Sequence, residues 1–303
     1  MAYPGSKRRW VLSLKNAIDF YIANPEYTSN KVANKFSITQ ESLSKNLKKL
    51  GIEVSERSKT KFNENVFDKI DTEEKAYWLG FICADGTICS EPLNKDCSHI
   101  HYNVSFCLAL IDCGHLFKFD KFMNVEESKV KVYDYTDYTG RKKQRAIWTV
   151  ANRHLWNTLN NLGCTPKKSL TLQYPHYLPK ELRRHFARGY FDGDGSFGIY
   201  GSKSHGELSL NCVGTDDIVS NLFKDIIPDI YKYHHKDHSE KTLTINANAT
   251  RAKQILDYMY KDCTIYLDRK FNKYIEVCRF LRKLKELSLR KIGEDCDVNT
   301  EII

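Results

Sequence analysis

Two short segments of this chain are near copies of one another, and they restrict what it can fold into. Trp78-Leu79-Gly80-Phe81-Ile82-Cys83-Ala84-Asp85-Gly86 and Ala187-Arg188-Gly189-Tyr190-Phe191-Asp192-Gly193-Asp194-Gly195 are both apolar stretches closed by Asp-Gly. Small residues stand four apart in each, Gly80 and Ala84 in one, Gly189 and Gly193 in the other. The terminal aspartates are 109 residues apart, at 85 and 194, about the length of one small domain. The repeat points to two related halves, each supplying one carboxylate to a shared site.

The rest of the sequence supports an ordinary globular protein with a polyanionic partner. The 303 residues are 41% hydrophobic and 28% charged, with a formal net charge of +9. That is enough apolar material for one large or several small cores, and the basic excess points to nucleic acid first. No run approaches the ~18 apolar residues of a membrane span. The polar, basic start from Met1 to Trp10 leads into no apolar signal region, so secretion is not expected. The ten cysteines include no C-x-x-C pair and read as reduced thiols of an intracellular protein, cytoplasmic or nucleoid-associated.

The organisation reads as 1–57 a helical unit, 58–70 a linker, 71–175 and 176–290 the two halves, and 291–303 a polar tail. In the first unit Leu12, Leu14, Ala17, Ile18, Tyr21 and Ile22 recur at helical spacing. A second helix carries Val32, Ala33 and Phe36. After a turn at Ser37-Ile38, Thr39 caps a third through Leu43 and Leu47, ended by Gly51. Two short helices joined by a tight turn resemble a helix-turn-helix DNA reader, with Gln40, Lys45 and Lys48 as candidate contacts. Ser37 stands where such turns more often hold glycine.

Each half reads as helix, two strands, helix, two strands, helix. Strands are expected at 102–110, 129–135, 146–150, 196–200, 207–213 and 241–246. Thr72 and Pro179 suit the starts of the two repeated helices. Lys167-Lys168 after the first copy matches Arg269-Lys270 after the second.

On these residues, from about 66 to 285, the chain resembles the LAGLIDADG homing endonucleases in their single-chain, two-motif form. The second motif follows the family pattern closely; the first has Cys83 where an aspartate is common. The resemblance implies an α+β fold in which two αββαββα halves, related by a pseudo-two-fold, form a β-saddle around the paired motif helices. Small residues let the two backbones approach, as in membrane helix dimers, and bring Asp85 and Asp194 together at the helix ends. A carboxylate is disfavoured at a helix C-terminus and beside a second carboxylate, and a divalent cation relieves both.

The implied activity is therefore Mg2+-dependent hydrolysis of both strands of a DNA duplex. Asp85 and Asp194, with the backbone at Ala84 and Gly193, would hold the metal; Mn2+ and Ca2+ are alternative occupants. Lys168 and Lys270 are the candidate basic residues that stabilise developing charge at each scissile phosphate, with Lys167 and Arg269 as rivals. Because Cys83 stands where the second copy has Asp192, the halves are expected to contribute unequally to the metal site.

Recognition is expected from a hairpin over Lys129–Val150, through Arg141, Lys142, Lys143, Gln144 and Arg145, and from a matching hairpin near 230–246. The partner implied is a long, asymmetric DNA duplex, bound by a monomer without a membrane. A non-cleaving DNA-binding regulator and an RNA-splicing maturase are alternatives on the same fold. Asp192-Gly-Asp194-Gly-Ser196 is no EF-hand loop, because Lys203 occupies its twelfth place. The Cys97, His99, His101, Cys113 and His115 group lacks zinc-site spacing. His234, His235 and His238 read as a polar turn. No splicing residues mark the ends, so the chain reads as a free-standing enzyme rather than an intein.

Overall fold

The computed structural model describes the backbone at residues 4–24, 27, 29–52, 61–92, 100–200, 207–229, 234–236 and 243–298. Side chains are described at 12–24, 27, 29–52, 61–91, 100–200, 207–229 and 250–286. Two units separate at Phe62 and Asn63.

The first unit contains three helices, α1 (Pro4–Ala23), α2 (Ser29–Lys35) and α3 (Gln40–Lys49). Their shared core is Leu14, Ala17, Tyr21, Val32, Ala33, Ile38, Leu43 and Leu47. Leu12 and Ile22, which share the periodicity of α1, are exposed instead, because the core-facing stripe is narrower than the apolar pattern. Ser37 takes a left-handed backbone (φ 51°), and Ile38 N–H donates to Ala33 O at 3.0 Å behind it. This is why glycine is common at that turn position. Thr39 Oγ1 accepts the Ser42 N–H at 3.3 Å and starts α3.

The second unit opens within the segment expected to be linker. Val66 and Phe67 are buried, and Asn152 donates to Glu64. Two helices then form its centre: α4 (Glu73–Asp85) and, farther on, the one over Lys180–Asp194. Thr72 caps α4 through Lys75 N–H at 3.3 Å. Every residue from Ala76 to Cys83 is buried, as befits a helix apolar on all sides.

Between the two central helices lie β1 (Gly86–Pro92), β2 (Ile100–Ala109), a 3-10 turn at Leu110–Asp112, α5 (Cys113–Phe122), β3 (Val130–Thr136), β4 (Lys142–Ala151) and α6 (Arg153–Asn161). The central helix over Lys180–Asp194 is α7. It is followed by β5 (Gly195–Tyr200), β6 (Glu207–Gly214), α8 (Asp216–Asn221), β7 (His234–Lys236), β8 (Leu243–Asn248), α9 (Ala249–Tyr260) and α10 (Asp268–Val298).

The result is α+β, with two four-stranded antiparallel sheets ordered β1-β2-β4-β3 and β5-β6-β8-β7. In the first, Val104, Phe106, Leu108, Ala146, Trp148 and Val150 turn inward. They pack on α5, with Phe119 4.7 Å from Trp148 and 4.9 Å from Phe106. Asp120 in α5 accepts Trp148 Nε1–H at 2.6 Å, so the buried indole is satisfied. In the second, Phe197, Leu208, Leu210 and Cys212 turn inward toward Ile218, Val219, Ile255, Leu256 and Met259.

Several sequence readings are corrected. β1 begins directly at Gly86, with no loop after α4, and adds a strand to those expected; Thr87 and Ser90 interrupt its apolar pattern. His234 and His235 lie in β7 rather than in a turn. The stretch read as a polar tail continues α10 as far as Val298. Most of the expected second recognition hairpin (230–233 and 237–242), together with Cys97, His99, Lys203 and His238, lies outside the described residues.

Candidate active site

The small residues of the two repeats meet across the α4–α7 contact. A Cβ added at Gly80 would collide with Phe186 O and lie 2.8 Å from Tyr190 N. One added at Gly189 would collide with Tyr77 O and lie 2.9 Å from Phe81 N. Each glycine thus sits against the residues three before and one after the other. Farther along, a Cβ at Gly193 would overlap that of Ala84 and stand 3.3 Å from Asp85 Cγ. The close approach therefore persists to the helix ends and places Asp85 beside the Gly193-Asp194 step.

The electrostatics follow. Burial, then the charge of Asp194, pushes Asp85 up to about 6, against the pull of Lys270 and Lys168. Asp112, on the 3-10 turn, adds to the rise. Burial against the helix pair raises Asp194 as well, although the residue keeps an exposed edge. Lys168, a hydrogen bond from Tyr190, and Lys270 oppose that rise.

The two lysines occupy matching positions. Lys168 Nζ donates to Gly86 O and lies 3.4 Å from Ala84 O, the carbonyls on either side of Asp85. Lys270 Nζ donates to Gly195 O at 2.6 Å and lies 3.5 Å from Gly193 O, the carbonyls on either side of Asp194. Lys270 also takes Phe191 O at 2.6 Å and Asp192 O at 2.7 Å, and is 5% exposed. Each ammonium therefore satisfies terminal carbonyls and offsets the negative helix end next to its aspartate. Lys168 stays half-buried, so one cation is locked away and the other is more accessible.

Behind the acids the halves differ. Asp192 is buried and fully engaged: Tyr77 Oη donates at 2.7 Å, Tyr260 Oη at 2.5 Å and Leu267 N–H at 2.8 Å. Tyr77 Oη also lies 2.9 Å from His115 Nε2, and burial holds that imidazole down at about 3, hence neutral. Asp192 thus ties α4, α7, α9 and the start of α10 together. Its counterpart Cys83 is buried 3.0 Å from Cys164 Sγ. Tyr77 and Tyr260 carry no sequence signal beyond burial-prone aromatic character, and His115, set aside in sequence as a zinc ligand, is here a buried partner of Tyr77.

The donor set fits a hard cation: two carboxylates whose proximity favours a positive charge between them, flanked by backbone oxygens at Ala84 and Gly193. Among the described residues no group of three or more His, Cys, Asp or Glu side chains is arranged as a metal cage. Any ion would therefore rely on water and substrate oxygens for its remaining positions.

The hairpin residues divide by strand parity. Arg145 is paired across from Tyr133, and Lys143 from Tyr135. Alternation puts these four on the solvent face with Lys131, Ile147, Thr149, Ser105, Cys107 and Thr87, opposite the packed face of Ala146 and Trp148. Lys142 and Gln144 point the other way, and Gln144 Nε2 donates to Asp134 at 2.9 Å. Arg145 lies over the Tyr135 ring, and Lys143 pairs with Asp137 at 2.8 Å. Arg141 is exposed at the tip. In the first unit Lys45 and Lys48 are exposed, whereas Gln40 Nε2 donates to Ser29 Oγ at 3.2 Å.

No protein-family model matches the sequence, and no curated protein matches it. Among solved structures, the chain is similar to the LAGLIDADG homing endonuclease I-GzeII in complex with its DNA target. There the identity is 12% and the TM-score 0.48, over 78% of this chain and 99% of that one. It is similar also to the meganuclease I-SmaMI bound to uncleavable DNA (13%, TM-score 0.49, 75% and 94% of the two chains). A third is I-LtrWI, a LAGLIDADG homing endonuclease bound to target DNA (13%, TM-score 0.45, 74% and 97%).

Proposed function

We propose that the protein is a sequence-specific, divalent-metal-dependent DNA endonuclease of the LAGLIDADG homing type. The observation that carries this reading is the contact of Gly193 with Ala84 and Asp85, which sets two carboxylates side by side, each with a lysine at the flanking carbonyls. The halves act as a pseudo-two-fold pair, one aspartate per DNA strand.

Asp85 and Asp194, with the carbonyls of Ala84 and Gly193, would hold Mg2+, with Mn2+ or Ca2+ as substitutes. A divalent ion there supplies charge stabilisation to the phosphodiester and lowers the pKa of bound water. The chain's own part is placement. The helix pair fixes the two carboxylates, Lys168 and Lys270 neutralise the helix ends and the charge that develops at phosphate, and the packed helices keep the site dry on the protein side.

The solvent face carrying Lys143, Arg145, Tyr133 and Tyr135 contacts the duplex, with Arg141 and Lys142 reaching phosphates from the tip. Helix α3 is a helix-turn-helix reader that presents Lys45 and Lys48. The protein works as a monomer on a long asymmetric site, inside the cell. No helix among the described residues is long and apolar enough to cross a membrane.

The test is incubation of the full chain with a randomised duplex library and Mg2+ or Mn2+, followed by sequencing of the ends. Paired breaks at one defined site are expected. Absence of defined ends with either metal, from protein that still binds duplex, would leave the regulator reading in its place.

A further inference from the structure

The segment Tyr266–Lys270, which leads into α10, is held from two sides. From the second half, Leu267 N–H reaches Asp192 and Lys270 reaches the end of α7, as described above. From the first half, Asp112 accepts Arg269 Nε at 3.1 Å and Nη2 at 2.9 Å, a bidentate fork. Six residues beyond Asp112, Lys118 in α5 donates to Asp268 Oδ1 at 2.6 Å and to Tyr266 O at 3.0 Å. The two ion pairs have opposite polarity, so a slip of one residue would oppose like charges. The Asp112 side chain is 11% exposed and that of Arg269 50%, so the pair is covered on the Asp112 side and open to solvent on the other.

The matching segment after Lys168 is held differently. Lys167, the counterpart of Arg269, has a left-handed backbone (φ 58°) and is exposed. The holds lie farther on, where Thr215 Oγ1 donates to Leu172 O at 2.6 Å and Tyr174 N–H donates to Asp217 at 2.7 Å. One lysine is thus clamped by an adjacent ion pair, the other by contacts four or more residues away.

We propose that Asp112 and Arg269 are a positioning pair that fixes Lys270, and with it the end of α7, against the first half, so that one of the two strand cuts depends on this pair and the other does not. The proposal rests on the nuclease reading for its strand effect, but not for its effect on Lys270.

Two readouts separate these. First, the full chain is acetylated with a water-soluble N-hydroxysuccinimide ester and the lysines are quantified by mass spectrometry. Lys270 should resist labelling in the wild type, lose that protection in Asp112→Ala and Arg269→Ala, and regain it in the charge exchange D112R/R269D. Protection unchanged in both single variants overturns the proposal, whatever the cleavage result. Second, on the duplex selected from the library, each strand is end-labelled separately. The single variants should slow one strand by about tenfold or more, the scale of a small misplacement of a catalytic group, and leave the other near its wild-type rate. Equal slowing of both strands would overturn the proposal. If Asp112→Ala fails to fold, Arg269→Gln takes its place, since Asp112 then keeps a neutral donor. A wild type that cuts no duplex refutes the nuclease reading alone, and the labelling arm still decides the clasp.

Discussion

Gly80 and Gly189 lie against one another's helices, each with the space of its missing side chain filled by the opposite backbone. Asp85 and Asp194 each follow their glycine by five residues, about 7.5 Å along a helix. Equal offsets from a common crossing point put the two carboxylates level, and the second close approach at Gly193 keeps the helices from splaying before they end. The site is thus a consequence of where the chain lacks side chains.

Gly80→Ala and Gly189→Ala should each destabilise the protein by about 1–3 kcal/mol or more, because the new Cβ meets backbone that cannot rotate away. Gly114→Ala, in α5 with open space around it, should instead stabilise by about 0.5–1 kcal/mol. Urea or thermal unfolding of the three variants measures this. Equal effects at Gly114 and Gly189 would contradict the packing.

Asp85→Asn and Asp194→Asn should each abolish double-strand cleavage while leaving duplex affinity within about threefold, since neither carboxylate lies on the sheet face proposed to contact DNA. Gel shift and cleavage of one duplex in parallel give both quantities. Unchanged cleavage in either variant would remove that residue from the site.

The raised Asp85 pKa has a consequence for stability. Its folded value of about 6 lies above the unfolded value of 3.8, so the folded state holds the proton more tightly. The contribution is fully present below the unfolded value and is lost as pH rises through about 6. Without divalent metal, Asp85→Asn should therefore be more stable than the wild type at pH 7, and the difference should vanish near pH 4. Adding Mg2+ at pH 7 should raise the wild-type Tm and barely move the variant. Calorimetry across that range, with chelator and with Mg2+, tests both signs.

Arg145→Ala and Lys143→Ala should weaken duplex binding and each reduce the salt slope of log affinity by about one. Gln144→Ala, on the opposite face, should change neither. A Gln144 effect equal to that of Arg145 would mean that strand parity does not decide the contacts.

How far the site could be read from sequence depends on the kind of force involved. The repeated helices announce themselves because close packing demands small residues at one spacing, and the match of Lys168 with Lys270 follows from duplicated order. Strand β1 escaped because its polar residues face solvent and break the apolar run. The Asp112–Arg269 fork joins residues 157 apart; the repeat marks Arg269 as a candidate charge, but no local pattern marks Asp112 or the pairing. Gln40 and Gln144 are candidate DNA contacts by residue type, and only the fold shows that each amide also has a partner within the chain, Ser29 and Asp134.

The sequence by itself showed two repeated segments with small residues at one spacing, each ending in an acid, and small residues at that spacing leave room for a second backbone. Only the tertiary structure decided what surrounds the acids. It set the lysines on the flanking carbonyls, buried Asp192 beneath two tyrosine hydroxyls and a backbone N–H, and paired Asp112 of the first half with Arg269, the neighbour of Lys270. Those arrangements depend on distances between remote segments, which spacing along a chain does not encode.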